Sequence, residues 1–155
     1  MSISRNLRGW SVAALIAVAV TIQLVPYGRN HFNPPVTREP AWDSPATREL
    51  PKRACFDCHS NETHWPGYAR VAPASWLLQH DVTEGRAVLN FSEWHRPHDG
   101  AKDASEEVLH REMPPAAYRI MHAGARLTAA DTERLVSGLS RTIGVSAEKQ
   151  AERKR

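Results

Sequence analysis

The sequence predicts an all-α domain behind a single apolar N-terminal helix. Three observations predict it. Trp10 to Val25 (WSVAALIAVAVTIQLV) is apolar except for Ser11, Thr21 and Gln23. Leu135, Leu139 and Ile143 recur every four residues, with Val136 beside them, as one buried helical stripe. Between these two segments no stretch alternates apolar and polar residues as a half-buried strand would. The 155 residues suffice for one domain.

The elements follow in order. Arg5 and Arg8 precede the apolar run, a pattern that holds residues 1–9 in the cytoplasm and sends the rest outward. Residues 10–27 are expected to be a transmembrane anchor or a signal segment, near the lower limit of about 17 residues for a spanning helix. Ala17-Val18-Ala19 is a candidate cleavage site, although cutting there leaves VTIQLV on a soluble N-terminus. A buried core helix is the remaining alternative. Residues 28–41, with Pro34, Pro35 and Pro40, read as an extended tether.

A domain then spans 42–145. Asp43 or Ser44 can cap a helix with Pro45 in its first turn. Pro51 is expected to break it, which puts the next helix at about Pro51 to His59. A third helix runs from about Pro73 to Leu89, weakened at Gly85. Asp103, with Glu106 as capping-box partner, opens a fourth that ends near Glu112. Thr128 and Asp131 box the start of the last, Ala129 to Ile143. Residues 146–155 form a charged tail.

Net charge is +3, and its location matters more than its size. Arg5, Arg8 and Arg29 stand before Asn30 with no acid, so the remaining seventeen basic and seventeen acidic residues cancel. A nucleic-acid surface needs a basic face on the domain itself, which is not expected here.

The only two cysteines stand in Cys55-Phe-Asp-Cys58-His59. Four chemistries compete for them. A redox dithiol normally opens a helix after a strand, and no strand is expected. Zinc wants a tight histidine pair nearby, whereas His95 and His98 lie far along the chain. A plain disulfide leaves His59 unexplained. C-x-x-C-H is the signature of covalently attached haem. At i, i+3 and i+4 on one helical turn, Cys55, Cys58 and His59 share a face. The thiols can add to two porphyrin vinyl groups while the imidazole takes the iron.

The second axial ligand is expected to be Met113 in Arg111-Glu-Met-Pro-Pro115. Pro114 drives Met113 out of the helical region, and two prolines stiffen its presentation. His/Met ligation raises the iron's potential and suits electron transfer. A core methionine at a helix end is the plain alternative. His80, on the apolar side of its helix with Trp76 and Leu77, and His31, on the tether, are the alternative ligands. Met121 is a rival that no proline fixes. A carbonyl in the loop between Pro66 and Pro73 is expected to accept from His59 Nδ1–H. Trp65, Tyr68, Trp76, Leu77 and Trp94 are candidate pocket walls or, equally, ordinary core.

Scattered motifs extend the pattern: Pro26-Tyr-Gly-Arg-Asn-His31, Asn33-Pro-Pro35, Trp42-Asp-Ser-Pro45, Trp65-Pro66, Asn90-Phe-Ser-Glu-Trp94 and Glu112-Met-Pro-Pro115. With the CxxCH segment they make Val25 to Gly144 resemble the bacterial haem-binding domain family, a branch of the c-type cytochromes. The chain departs from that pattern at Pro51 and at Ala116-Ala117, where an aromatic residue is usual. The resemblance implies an all-α, cytochrome c-like domain with one haem c, and company with cytochrome c domains and di-haem peroxidases. It implies an inner-membrane, single-pass protein with the haem domain in the periplasm.

The expected function is one-electron transfer. A haem-based sensor or gas-binding protein with an open distal site is the alternative. Peroxidase activity and a purely structural haem are further ones.

Overall fold

A computed structural model describes the backbone of residues 2–153 and the side chains of 9–144. Among these residues the regular structure is helical, with no β-strand, as expected. Two compact units form. One combines the chain up to Phe32 with Trp65–Asp81, the other Asn33–His64 with Val82 onward.

The first unit opens with α1 (Ser2–Thr21), followed by a 3-10 turn, Ile22–Leu24. The chain turns extended at Val25. This corrects the expectation of a membrane span over 10–27. The apolar helical part, Trp10 to Thr21, is about 18 Å long at 1.5 Å per residue, against roughly 30 Å of hydrocarbon. Among the described residues no helix is long and apolar enough to cross a membrane. The side-chain amide of Gln23 grips Ala72 from both sides, accepting from its N–H and donating to its carbonyl, each at 3.0 Å. Gly28, at a left-handed φ of 76°, lies so close to Ser75 that a Cβ would come within 2.1 Å of its carbonyl oxygen. His31 stacks on Trp65 at 4.6 Å.

The second unit holds the core. Asn33 to Arg38, within the expected extended tether, are bonded into it. Asn33 Nδ2 donates to Thr63 O, Thr37 and Arg38 N–H donate to Ser92 O, and Arg38 forms a parallel bridge with Glu93. Ser44, rather than Asp43, caps α2 (Pro45–Ala54), its hydroxyl accepting from Thr47 N–H at 3.1 Å. Contrary to expectation, α2 runs through Pro51. The break falls at Cys55 (φ −127°, ψ −31°), and α3 is the single turn Phe56–His59.

Helix α4 (Ala74–Val88) begins in the first unit and ends in the second. Helix α5 (Ala104–Leu109) ends a turn earlier than expected, and Asp103 makes no side-chain cap. A short α6 (Ala116–Met121), unforeseen, follows the double proline. Helix α7 (Ala129–Arg153) opens on the expected capping box. Thr128 Oγ1 accepts from Asp131 N–H at 3.1 Å, and Asp131 Oδ2 accepts from Thr128 N–H at 3.3 Å. It extends past Ile143 into the expected tail.

Buried Leu135 and Leu139 bring α7 onto α5 and α2. Gly138 permits the α2 crossing, since a Cβ there would come within 2.5 Å of Thr47 Cγ2. The core gathers Phe56, Leu89, Phe91, Trp94, Val108, Leu135 and Leu139. Phe91 is its centre, with Trp42, Phe56 and Trp94 rings at 5.2, 5.7 and 5.9 Å.

Candidate haem site

Cys55, Cys58 and His59 occupy one turn. The N–H groups of Cys58 and His59 both donate to Cys55 O, at 3.1 and 2.9 Å. That winding puts the two thiols and the imidazole at i, i+3 and i+4, on one side of the turn.

His59 is held at Nδ1. It lies 3.0 Å from Gly85 O and 3.1 Å from Leu89 O. A carbonyl only accepts, so Nδ1 carries the hydrogen and Nε2 keeps the lone pair a metal needs. The acceptors therefore lie in and just after the last turn of α4, correcting the expected loop between Pro66 and Pro73. Leu89 O lies just past the helix end, where a carbonyl has no intrahelical partner, whereas Gly85 O already accepts from Leu89 N–H at 2.9 Å and gives its second lone pair to His59. Burial pushes the imidazole below the usual histidine range, against the opposing pull of the carbonyls, and keeps it neutral.

Gly85 is what lets α4 approach. A Cβ there would meet Cys58 O at 2.6 Å and Cys58 Cβ at 3.0 Å. The weak point in the helical pattern is thus a close-packing point. The turn is fixed from its other end as well. Phe91 N–H donates to His59 O at 2.8 Å, and Arg86 Nε donates to Ser60 O at 2.8 Å. Buried Asn61 donates to Pro35 O and Glu93 Oε1 and accepts from Asn90 Nδ2, while its own N–H donates to Ser92 Oγ. The polar letters of Asn90-Phe-Ser-Glu-Trp94 therefore satisfy the buried backbone behind the imidazole, and its aromatic letters fill the core. Trp94 is one of those core residues, stacked on Phe91.

The thiols are half-buried and not joined by a disulfide. Burial, then the neighbouring Cys58, pushes the Cys55 thiol up to about 12. A raised pKa makes Cys55 a poor thiolate nucleophile. Among the described residues no group of three or more His, Cys, Asp or Glu converges to hold a metal ion.

Met113 belongs to the same unit and follows α5 on a short, non-helical reversal. Arg111 takes a left-handed φ of 61°, and the N–H groups of Glu112 and Met113 both return to Glu107 O, at 3.0 and 3.1 Å. The helix does stop before Met113, as Pro114 requires. Met113 is 36% exposed, and Ile120 and Met121 on α6 are more so. Tyr118 on α6 reaches the cysteine turn, its hydroxyl donating to Asp57 Oδ2 at 2.5 Å.

The alternative ligands fare differently. His31 Nε2 lies 3.1 Å from Ala69 O within the first unit, beside Trp65. His80 is solvent-exposed, correcting its expected place on a buried face. Trp65, Tyr68, Trp76 and Leu77 also belong to the first unit. Leu77 is 59% exposed, while Trp76 Nε1 is buried without a protein partner.

Sequence reasoning missed Gly85, Leu89, Asn61 and Tyr118. The available signal was the glycine inside an otherwise helical run, which marks close approach of another chain segment. Tyr118 gave no local signal.

The donor set fits haem: two thiols not joined by a disulfide, one imidazole with a fixed tautomer, and uncovered apolar side chains in the same unit. No curated protein and no solved structure matches the chain. A family model does, over residues 17–141, and its description is a haem-binding domain. The chain belongs to the haem-binding domain family.

Proposed function

We propose that this haem-binding protein is a mono-haem c-type cytochrome that carries single electrons. What supports it is the orientation of His59, with Nδ1 committed to two carbonyls and Nε2 left for iron, directly after two cysteines that are not joined by a disulfide. Cys55 and Cys58 would hold the group by thioether bonds, and His59 and Met113 would bind its iron. Haem supplies a one-electron ferric/ferrous couple. The chain's own residues need supply no acid or base for it. Their task is to hold the iron's ligands in one geometry in both oxidation states, so that little reorganises when charge arrives. The carbonyls on His59 and the Asn61 network do this on one side. The Glu107 carbonyl and the two prolines do it for Met113.

The basic residues and exposed apolar segment at the N-terminus are proposed to direct export, which puts the domain in the periplasm of a bacterium. A single-pass span is not part of the proposal. Cytochrome c domains and di-haem peroxidases are the proposed electron partners.

A second reading rests on the exposure of Met113. A weakly held sulfur would leave a site open to CO or NO, as in a gas sensor.

The test is the visible spectrum of protein produced with haem-attachment machinery, taken oxidised, reduced, and reduced under CO. A pigment that survives acidic acetone, a weak far-red ferric band from sulfur ligation and no CO complex are expected. A colourless product, or pigment lost to acidic acetone, overturns covalent attachment. Ready CO binding favours the open-site reading.

A further inference from the structure

Asp57 stands between the two cysteines, and its side chain serves two masters. Oδ1 accepts from His64 N–H at 2.8 Å, which closes the loop after the histidine. Oδ2 accepts from the Tyr118 hydroxyl at 2.5 Å. Burial first, then the Asp57 carboxylate, pushes the Tyr118 hydroxyl above the usual tyrosine range, so it stays a donor. The ring is also fixed, stacked on His122 at 4.0 Å.

Helix α6 has other side-chain ties that are exposed, Arg126 donating to Arg119 O and Ile120 O and Arg119 donating to Arg111 O. It buries none of its six residues, and its packing neighbour is the 3-10 turn Ala123–Ala125. A six-residue helix is too short to persist by itself in water. Yet Pro114 and Pro115 couple it directly to Met113, since two fixed φ angles leave little freedom between them.

We infer that Tyr118 is a positioning residue: its hydroxyl, bonded to Asp57, fastens α6 to the cysteine turn and so sets where Met113 stands. This rests on the haem reading above and deepens it. The cysteine turn and the Met113 segment are 61 residues apart at the bond, so attachment at Cys55 and Cys58 and ligation at Met113 share one rigid frame. A hydrogen bond to a charged group is among the stronger single ties available to a half-exposed segment.

The test compares wild type with Tyr118→Phe, which keeps the stacked ring, and with Asp57→Asn. Two readouts keep the fastening separate from the ligand. The first is hydrogen exchange of the amides of residues 118–122, which needs no assumption about the iron. About tenfold faster exchange is expected in Y118F, because the segment opens more often. Unchanged exchange overturns the proposal. The second is read on haem-loaded protein. Y118F should keep its acid-acetone-stable pigment, lose much of the far-red ferric band, and bind CO in the ferrous form about tenfold more readily. Exchange that quickens while the band and CO affinity stay at wild-type values overturns the link from α6 to Met113. A wild type without the band, but with the exchange change, supports the fastening and removes Met113 as ligand. Asp57→Asn leaves one acceptor oxygen for two donors, the Tyr118 hydroxyl and His64 N–H, so it should quicken exchange at residues 118–122 as well; unchanged exchange there would overturn Asp57 as the anchor.

Discussion

The two sides of the site are built differently. Behind His59 everything is pinned: two carbonyls on one ring nitrogen, a glycine with no room for a Cβ, and a buried Asn61–Asn90–Ser92 network. Around Met113 the chain is one exposed reversal, two prolines and a short helix with no buried residue. On the proposed haem reading, attachment would need both thiols and the imidazole presented together, so that side would have to be rigid before the cofactor arrives. The other side would have only to deliver one sulfur. The contrast means that damage behind His59 reads out as lost fold and lost pigment, whereas damage at Met113 reads out as changed ligation in a folded protein.

Breaking the rigid side at its centre gives the largest expected effect. Phe91→Ala empties a fully buried aromatic position between Trp42, Phe56 and Trp94. A loss of about 3–5 kcal/mol is expected in urea unfolding, with haem attachment falling sharply. A loss under about 1 kcal/mol would mean that Phe91 is not the centre of the core.

Gly85→Ala should come next. Its methyl would press on Cys58 O, which is backbone and cannot swing aside. Overpacking of this kind costs about 1–3 kcal/mol. It should also move the Gly85 carbonyl off His59, so the midpoint potential should shift even in the fraction that folds. Full stability together with an unshifted potential would show that α4 can step back freely, and the rigid side would lose its main support.

Met113→Ala should have the smallest effect on stability, within about 0.5 kcal/mol, because the side chain is already part-exposed. Its effect should fall on the iron instead. The far-red ferric band should vanish, the midpoint potential should drop, and CO should bind. An unchanged spectrum would remove Met113 from the site and leave the comparison without its second member.

What could be read in advance divides along the same line. The CxxCH turn was legible because its logic is local: three residues within one helical turn share a face whatever surrounds them. The break before Pro114 was legible for the same reason. Pro51 misled, since its ring fits inside α2 and the interruption falls four residues later at Cys55. Asp103 misled too, because a capping box needs the right backbone angles at the cap, and Asp103 is already helical there. Thr128 and Asp131 bond to each other as expected.

By itself the sequence determined the helical class, the clustering of Cys55, Cys58 and His59 in one turn and the stripe that buries α7. Each follows from spacing within a turn or two, where backbone geometry leaves few options. Only the tertiary structure decided which carbonyls orient His59, that Gly85 sits against Cys58, and that Tyr118 meets Asp57. These partners lie 26 to 61 residues apart. Nothing in a local pattern records which distant segment will arrive, because that depends on how all the buried faces pack at once.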